Sequence, residues 1–300
     1  MALLPFRCCF HPAYDLRLGD HVFPSKKFQA IHDWLWSASL LGDANLIVPE
    51  AATREDLLRV HTAAWTDGLL GGTLSAGQIA RLEIPYSEAM VRGFLYHAGG
   101  SMAAATAALE DGAAFNIGGG FHHAFAGHGE GFCAVHDVAV AIRSMQHRGK
   151  IDTAMVIDTD VHQGNGTAAI FARDESVFTL SIHQAHNYPY EKPPSDLDVA
   201  LEDGVGDDEY LERLGAALEA AFARMRPSLI AYVAGSDPYC DDQLGGLKLS
   251  VEGMMARDRL VASFARKCGV PIFASLAGGY ARRFEDTVLL HGNTAVALAG

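Results

Sequence analysis

The feature that most constrains this chain is a set of short apolar runs, at 46–48, 114–117, 154–157, 177–182, 229–234 and 271–276, none with polar alternation. Unbroken apolar runs of this length read as strands covered on both faces, the habit of parallel sheets. Parallel neighbours need a crossover between them. The intervening segments carry helical spacing at about 26–41, 53–68, 87–111, 137–147, 208–226, 250–268 and 282–299. Thr53 with Asp56 and Ser250 with Glu252 supply helix starts, and Gly269-Val270-Pro271 supplies a stop. The predicted fold is α/β: one domain over 1–300, a doubly wound, mostly parallel sheet with helices on both faces.

Composition narrows the function. Of 300 residues, 49% are hydrophobic and 20% charged, which supports a large core and excludes a disordered or collagen-like chain. The formal net charge of −13, with no Lys/Arg cluster, argues against nucleic acid as a partner. Cysteines at 8, 9, 133, 240 and 268 are odd in number and form no CxxC pair, so neither a disulfide framework nor a thiolate zinc site is expected. No apolar run approaches the roughly 20 residues of a membrane span. The start, MALLPFRCCFHP, has no basic region followed by a long apolar stretch, and the expected location is the cytoplasm.

The polar segments directly after these runs carry the chemistry. The run at 114–117 leads into Gly118-Gly119-Gly120-Phe121-His122-His123, and that at 154–157 into Asp158-Thr159-Asp160-Val161-His162-Gln163-Gly164-Asn165. The runs at 229–234 and 271–276 lead into Gly235-Ser236-Asp237 and Ala277-Gly278-Gly279-Tyr280. In an open parallel sheet these segments emerge together at the carboxyl edge, where ligands bind. Asp160 and His162, two apart, project to one side, and Asp237 completes a two-carboxylate, one-imidazole set. Such a set suits a catalytic zinc and also accommodates ferrous iron. His122 and His123 are candidates for proton transfer, and Tyr280 for donating to an oxyanion.

GGGFHHA, GFC (Gly131-Phe132-Cys133), DTDVHQGNGT, AGSD, DDQLGGLKLS and GGY occur in one order along the chain. In that order and spacing the sequence resembles the zinc-dependent histone deacetylases, from about His11 to near the C-terminus. The HQGNG wording, His186-Asn187-Tyr188-Pro189 and the stretch 206–211 make it most similar to class IV. The resemblance implies the arginase/deacetylase fold and hydrolysis of N-ε-acyl-lysine by metal-activated water. It implies zinc on Asp160, His162 and Asp237, with His123 as general base and acid and His122 stabilising charge. Asp158 would orient His122, and Asn165 would orient His123. Asp158 and Ser181, with carbonyls of Asp160, His162 and Ile182, would hold a structural potassium ion. Tyr280 would be the oxyanion donor, and Gly131 and Phe132 a wall of the channel for the acyl-lysine chain. An Asn in place of Asp at 165 would leave His123 less basic, because a neutral amide stabilises imidazolium less than a carboxylate.

Four positions depart from the pattern or align loosely. His136 stands where an Asn is common and is read as the start of the next helix. Tyr239 and Cys240 come after the third ligand, where they would reshape the rim. Lys26 falls near the place of a basic residue beside an internal pocket. Of the fourteen histidines, His32, His61, His97, His147 and His291 fall in helix-patterned segments and are expected to be structural or solvent-facing. His11, His21 and His186 are loop positions, and His183, directly after a strand, is balanced between packing and lining the site. A phosphate cradle at 118–120 lacks the required glycine spacing, and a calcium loop at 202–209 lacks its ligand pattern. Cys133 is expected to pack as a small hydrophobe. The rival activities are an acetylpolyamine or other small-molecule amidohydrolase, a two-manganese arginase-like enzyme, and a non-catalytic acyl-amine binding protein. Oligomeric state is not readable from the sequence.

Overall fold

The computed structural model describes residues 2–300. Its strands are β1 (Arg7–Cys9), β2 (Leu46–Ile47), β3 (Ala113–Asn116), β4 (Ala154–Asp158), β5 (Val177–Gln184), β6 (Leu197–Leu201), β7 (Leu229–Val233) and β8 (Ile272–Ser275). They form one sheet in the order β2-β1-β3-β8-β7-β4-β5-β6, with every pairing parallel. The mostly parallel sheet expected from the apolar runs is thus parallel throughout. Every residue of β4, β5, β7 and β8 is buried, as strands sandwiched between helices must be.

The helices are α1 (Lys27–Ser37), α2 (Arg54–Leu57), α3 (Ala63–Gly71), α4 (Ala76–Leu82), α5 (Glu88–Asp111), α6 (Asp137–His147), α7 (Asn165–Ile170), α8 (Asp207–Arg224), α9 (Val251–Cys268) and α10 (Phe284–Ala299). Long α5 packs on β1, β3 and β8 and carries α6 beside it, while α1, α10, α9 and α8 form a second packed series. Among the described residues no helix is long and apolar enough to cross a membrane.

Local chemistry explains where elements stop. The expected helix over 53–68 is two helices, α2 and α3. Thr62 restarts the helix by accepting the Trp65 N–H on its side chain, and His61 turns inward between them. Ser250 caps α9 from outside and Gly269, left-handed at φ 64°, ends it, as the sequence predicts. Two strands lie outside the apolar runs. β1 has only three residues, and β6 alternates exposed and shielded positions because it lies at the sheet edge.

Candidate active site

Four adjacent strands, β3, β8, β7 and β4, deliver the four polar motifs to one edge. There Asp160, His162 and Asp237, all buried, each offer a ligand atom within 4.8 Å of the others. His162 Nδ1 lies 2.9 Å from Asp160 Oδ1 and 3.3 Å from Asp237 Oδ2. Each carboxylate is braced by another loop. Asp160 Oδ2 accepts the Gly278 N–H at 2.8 Å, and Asp237 Oδ1 accepts the Val161 N–H at 2.8 Å. A side chain at 278 would collide with both carboxylates, so only glycine lets this loop approach.

Asp237 Oδ2 is buried and accepts no hydrogen bond in good geometry. Burial, and then the neighbouring Asp160 charge, push the Asp237 carboxyl up to about 7. Burial works against charging His162, but the two carboxylates outweigh it and raise its pKa to about 10. A dry pocket holding two acids beside one imidazole is short of positive charge. A divalent ion supplies that charge, and a two-oxygen, one-nitrogen set is a catalytic zinc's complement with a position left open. The residues fit such an ion.

The two adjacent imidazoles lie beside this cluster, 4.0 Å apart between ring centres. His122 Nδ1 meets Asp158 Oδ2 at 2.7 Å, and His123 Nδ1 meets Asn165 Oδ1 at 2.8 Å. With both Nδ1 atoms engaged, each ring has its Nε2 free of these anchors. Burial disfavours a charged His122, yet Asp158 and Asp160 outweigh it and raise its pKa to about 9. His123 has no such carboxylate contact, and burial, then the His122 and His162 charges, push it well below the ordinary value. The pair divides accordingly: His122 stays charged, and His123 is neutral and able to accept a proton. Burial, then the Asp237 and Asp160 charges, keep the Tyr280 phenol protonated.

A cavity of about 220 Å³ reaches this group, walled by Phe23, Gly131, Phe132, Tyr188, Leu244 and Tyr280. Gly131 is left-handed at φ 52°, and a Cβ there would lie 2.9 Å from both His123 Cδ2 and Tyr188 Cε1, blocking the wall. Tyr188, Phe23 and Leu244 are walls that the sequence motifs do not assign. Tyr188 does belong to the His186–Pro189 stretch that carries the class resemblance, and Leu244 to the DDQLGGLKLS motif. Asp158 and Ser181 are direct partners across β4 and β5, and Ser181 Oγ lies 2.9 Å from His183 Nδ1.

Several expectations need correction. Lys26 is exposed; the buried base is Lys27, whose Nζ donates to the Ala277 carbonyl at 2.6 Å behind the Tyr280 loop. Burial lowers its pKa to about 8 against the pull of Asp237, Asp160 and Asp242. Tyr239 and Cys240 are not among the cavity walls: Tyr239 points its hydroxyl to Asp286, and Cys240 is exposed. His183 is buried against Ser181, His11 stacks on Tyr96, and His186 faces solvent, so none lines the cavity. His21 packs edge-on against Phe132, 5.1 Å between centres, outside the wall itself. His136 caps α6, as expected, by accepting the Ala139 N–H.

The family model described as histone deacetylase domain matches residues 21–291. The chain belongs to the histone deacetylase family. It is 38% identical over 287 residues to an uncharacterized protein of a Picosynechococcus strain, covering 95% of this chain and 96% of that one. It is 35% identical over 285 residues to Histone deacetylase 2 of Arabidopsis thaliana, covering 89% of this chain and 73% of the other. In fold it is similar to the crystal structure of the HDA15 HD domain, at TM-score 0.80 and 22% identity, over 98% of this chain and 88% of that one. The family makes this chain a metal-dependent amide hydrolase, acting on acetylated substrates.

In this deacetylase the His122–His123 turn rests on the carboxylate of Asp137 and on two imidazoles that work only uncharged. His97 Nδ1 accepts the Gly119 N–H at 3.0 Å while Nε2 meets the Tyr14 carbonyl at 3.0 Å, a pairing only the neutral ring satisfies. His61 likewise accepts the His136 N–H at 3.0 Å and meets the Phe125 carbonyl at 3.0 Å. Asp137 receives the Gly120 and Phe121 N–H groups at 3.0 and 2.8 Å. Burial lowers the pKa of His97 to about 3 and of His61 to about 4, whereas unfolded imidazoles titrate near 6.5. Between those values the unfolded chain binds more protons, so stability is full above about 6.5 and declines as pH falls toward 4 and then 3. Each unit of displacement is worth about 1.4 kcal/mol. The thermal midpoint is expected to drop steadily from neutral pH to about pH 4, and a flat profile across that window would contradict this role for the two rings.

Proposed function

We propose that this enzyme removes acyl groups from N-ε-acyl-lysine, using zinc held by Asp160, His162 and Asp237. The observation that supports this best is the meeting, at the end of one apolar channel, of a cation-short acid–imidazole cluster with the His122–His123 pair and Tyr280. An ion at that cluster would supply Lewis-acid polarisation of a carbonyl and acidify water. The channel sheathes the alkyl chain of the lysine between Phe23, Phe132 and Tyr188 and keeps bulk water from the amide. His123, neutral and oriented through Nδ1, takes the proton of the attacking water on Nε2 and returns it to the departing amine. His122, paired with Asp158, stays positive and steadies the negative charge that develops. Tyr280 donates its hydroxyl to the carbonyl oxygen as it becomes an oxyanion.

Asp158 and Ser181, with the Asp160, His162 and Ile182 carbonyls, are proposed to hold potassium, a reading that their pairing across β4 and β5 supports. The nearest subgroup is proposed to be class IV, on the sequence motifs alone. Among the described residues there is one cluster of three metal-ligating side chains, which favours a single ion over a two-manganese centre. A turnover assay on acyl-lysine peptides from acetyl to myristoyl, beside acylated polyamines, tests the substrate. Elemental analysis of the same preparation distinguishes zinc from iron. Activity on the peptides, lost with a chelator and restored by one equivalent of zinc, is expected. Hydrolysis of the polyamines alone would move the substrate to small molecules, and stoichiometric metal without any hydrolysis would make the chain a binding protein.

A further inference from the structure

Asn165 presents a neutral amide to His123, but the far end of that amide meets a charge. Asn165 Nδ2 donates to Glu130 Oε1 at 2.5 Å. Glu130 is 7% exposed and is surrounded by donors. Its Oε1 also accepts the Tyr188 hydroxyl at 3.2 Å, while Oε2 takes Arg81 Nη2 at 2.5 Å and Nε at 2.9 Å and faces His128 Nε2 at 3.2 Å. Main-chain bonds between Glu130 and Cys133 close the turn that carries Gly131 and Phe132, so the carboxylate is built into the channel wall. Burial opposes its charge, but the Asn165 and Arg81 bonds outweigh this and hold it below the ordinary carboxyl range.

This arrangement allows the amide one orientation. Asn165 Oδ1 accepts from His123 Nδ1 and from the Gly166 N–H at 3.0 Å. A flipped amide would set its NH₂ against both donors and its oxygen against the Glu130 carboxylate. The charge on Glu130 also pulls the amide hydrogens and makes Oδ1 a stronger acceptor, as linked hydrogen bonds polarise one another at low dielectric.

We propose that Glu130 is a positioning residue for hydrolysis, which locks the Asn165 amide and passes negative charge through it to the His123 imidazolium formed when water is deprotonated. A carboxylate thus serves His123 at one remove, through Asn165. The inference rests on His123 being the base.

The test uses Glu130→Gln in two backgrounds, with acyl-lysine peptide as substrate. In the parent enzyme it should lower kcat by about 10-fold with KM within about twofold, since the new side chain keeps a single acceptor oxygen and must set its NH₂ against either Arg81 or the Asn165 NH₂, both donors. In an Asn165→Asp enzyme the sign reverses. The carboxylate introduced by N165D and that of Glu130 then repel, and adding Glu130→Gln supplies the introduced carboxylate with a donor and raises kcat. A wall residue with only a structural role would lower activity in both backgrounds. An E130Q enzyme within twofold of the parent, or an N165D/E130Q enzyme no more active than N165D, overturns the proposal. His123→Ala in the same assay separates the two readings: retained turnover there removes the base itself, and the Glu130 role with it. Loss of turnover in H123A without the sign reversal removes Glu130 alone.

Discussion

Replacing His123 with alanine is expected to lower turnover of an acyl-lysine peptide by at least about 10³-fold, near the upper part of what a positioned acid–base group contributes. The ring is buried, lies next to His122, and is held through Nδ1 by Asn165, which leaves Nε2 for the reacting proton. Its depressed basicity keeps it neutral at working pH and so able to accept. The ring lies outside the Asp160, His162 and Asp237 set proposed to hold the metal, so metal content should match the parent, and near-ultraviolet circular dichroism should show the fold retained. A loss of less than about tenfold would mean that another group moves the proton; His122 would then be tested next.

Tyr280→Phe is expected to cost about 10² to 10³ in kcat, the usual loss when one oxyanion donor is removed. The phenol lines the cavity beside Asp160 and His162, and its ring packs edge-on to Phe23 and Phe132 with centres 6.2 and 6.3 Å away. Phenylalanine keeps those contacts, so stability and ion content should scarcely move. Because the donor acts on charge that develops during reaction, KM should change little while kcat falls. Unchanged turnover would take Tyr280 out of the chemistry, and a rise in KM alone would make it a substrate wall.

The parts of the fold that the sequence discloses are those whose burial is uniform. β4, β5, β7 and β8 are dry on both faces, so their residues are largely apolar, and the ends of β4, β7 and β8 mark functional loops. β6 escapes because LDVAL alternates, as an edge strand should, and a search for unbroken runs passes over it. The break between α2 and α3 is hidden because Leu57, Trp65 and Leu69 keep an apolar stripe across it; His61 turns inward to reach the Phe125 carbonyl and the His136 N–H, partners far along the chain. The exposed Lys26 could have been told from its neighbour. Phe28, Ile31 and Leu35 form the buried stripe of α1, and Lys27, four before Ile31, lies on it while Lys26 does not. Asp160, His162, Asp237 and the tandem histidines are legible because their types are chemically unusual directly after apolar runs. Tyr188 and Glu130 are not, since neither comes directly after a strand and each matters only through what folding places beside it.

The crossed bracing of the two acids has a consequence for how the enzyme is charged with its ion. Asp160 is gripped by the backbone after β8, and Asp237 by the backbone after β4, so neither carboxylate depends on the ion to find its direction. Affinity for the ion therefore answers to main-chain positions on other strands: a displacement of the turn after β8 would swing Asp160, and one of the turn after β4 would swing Asp237.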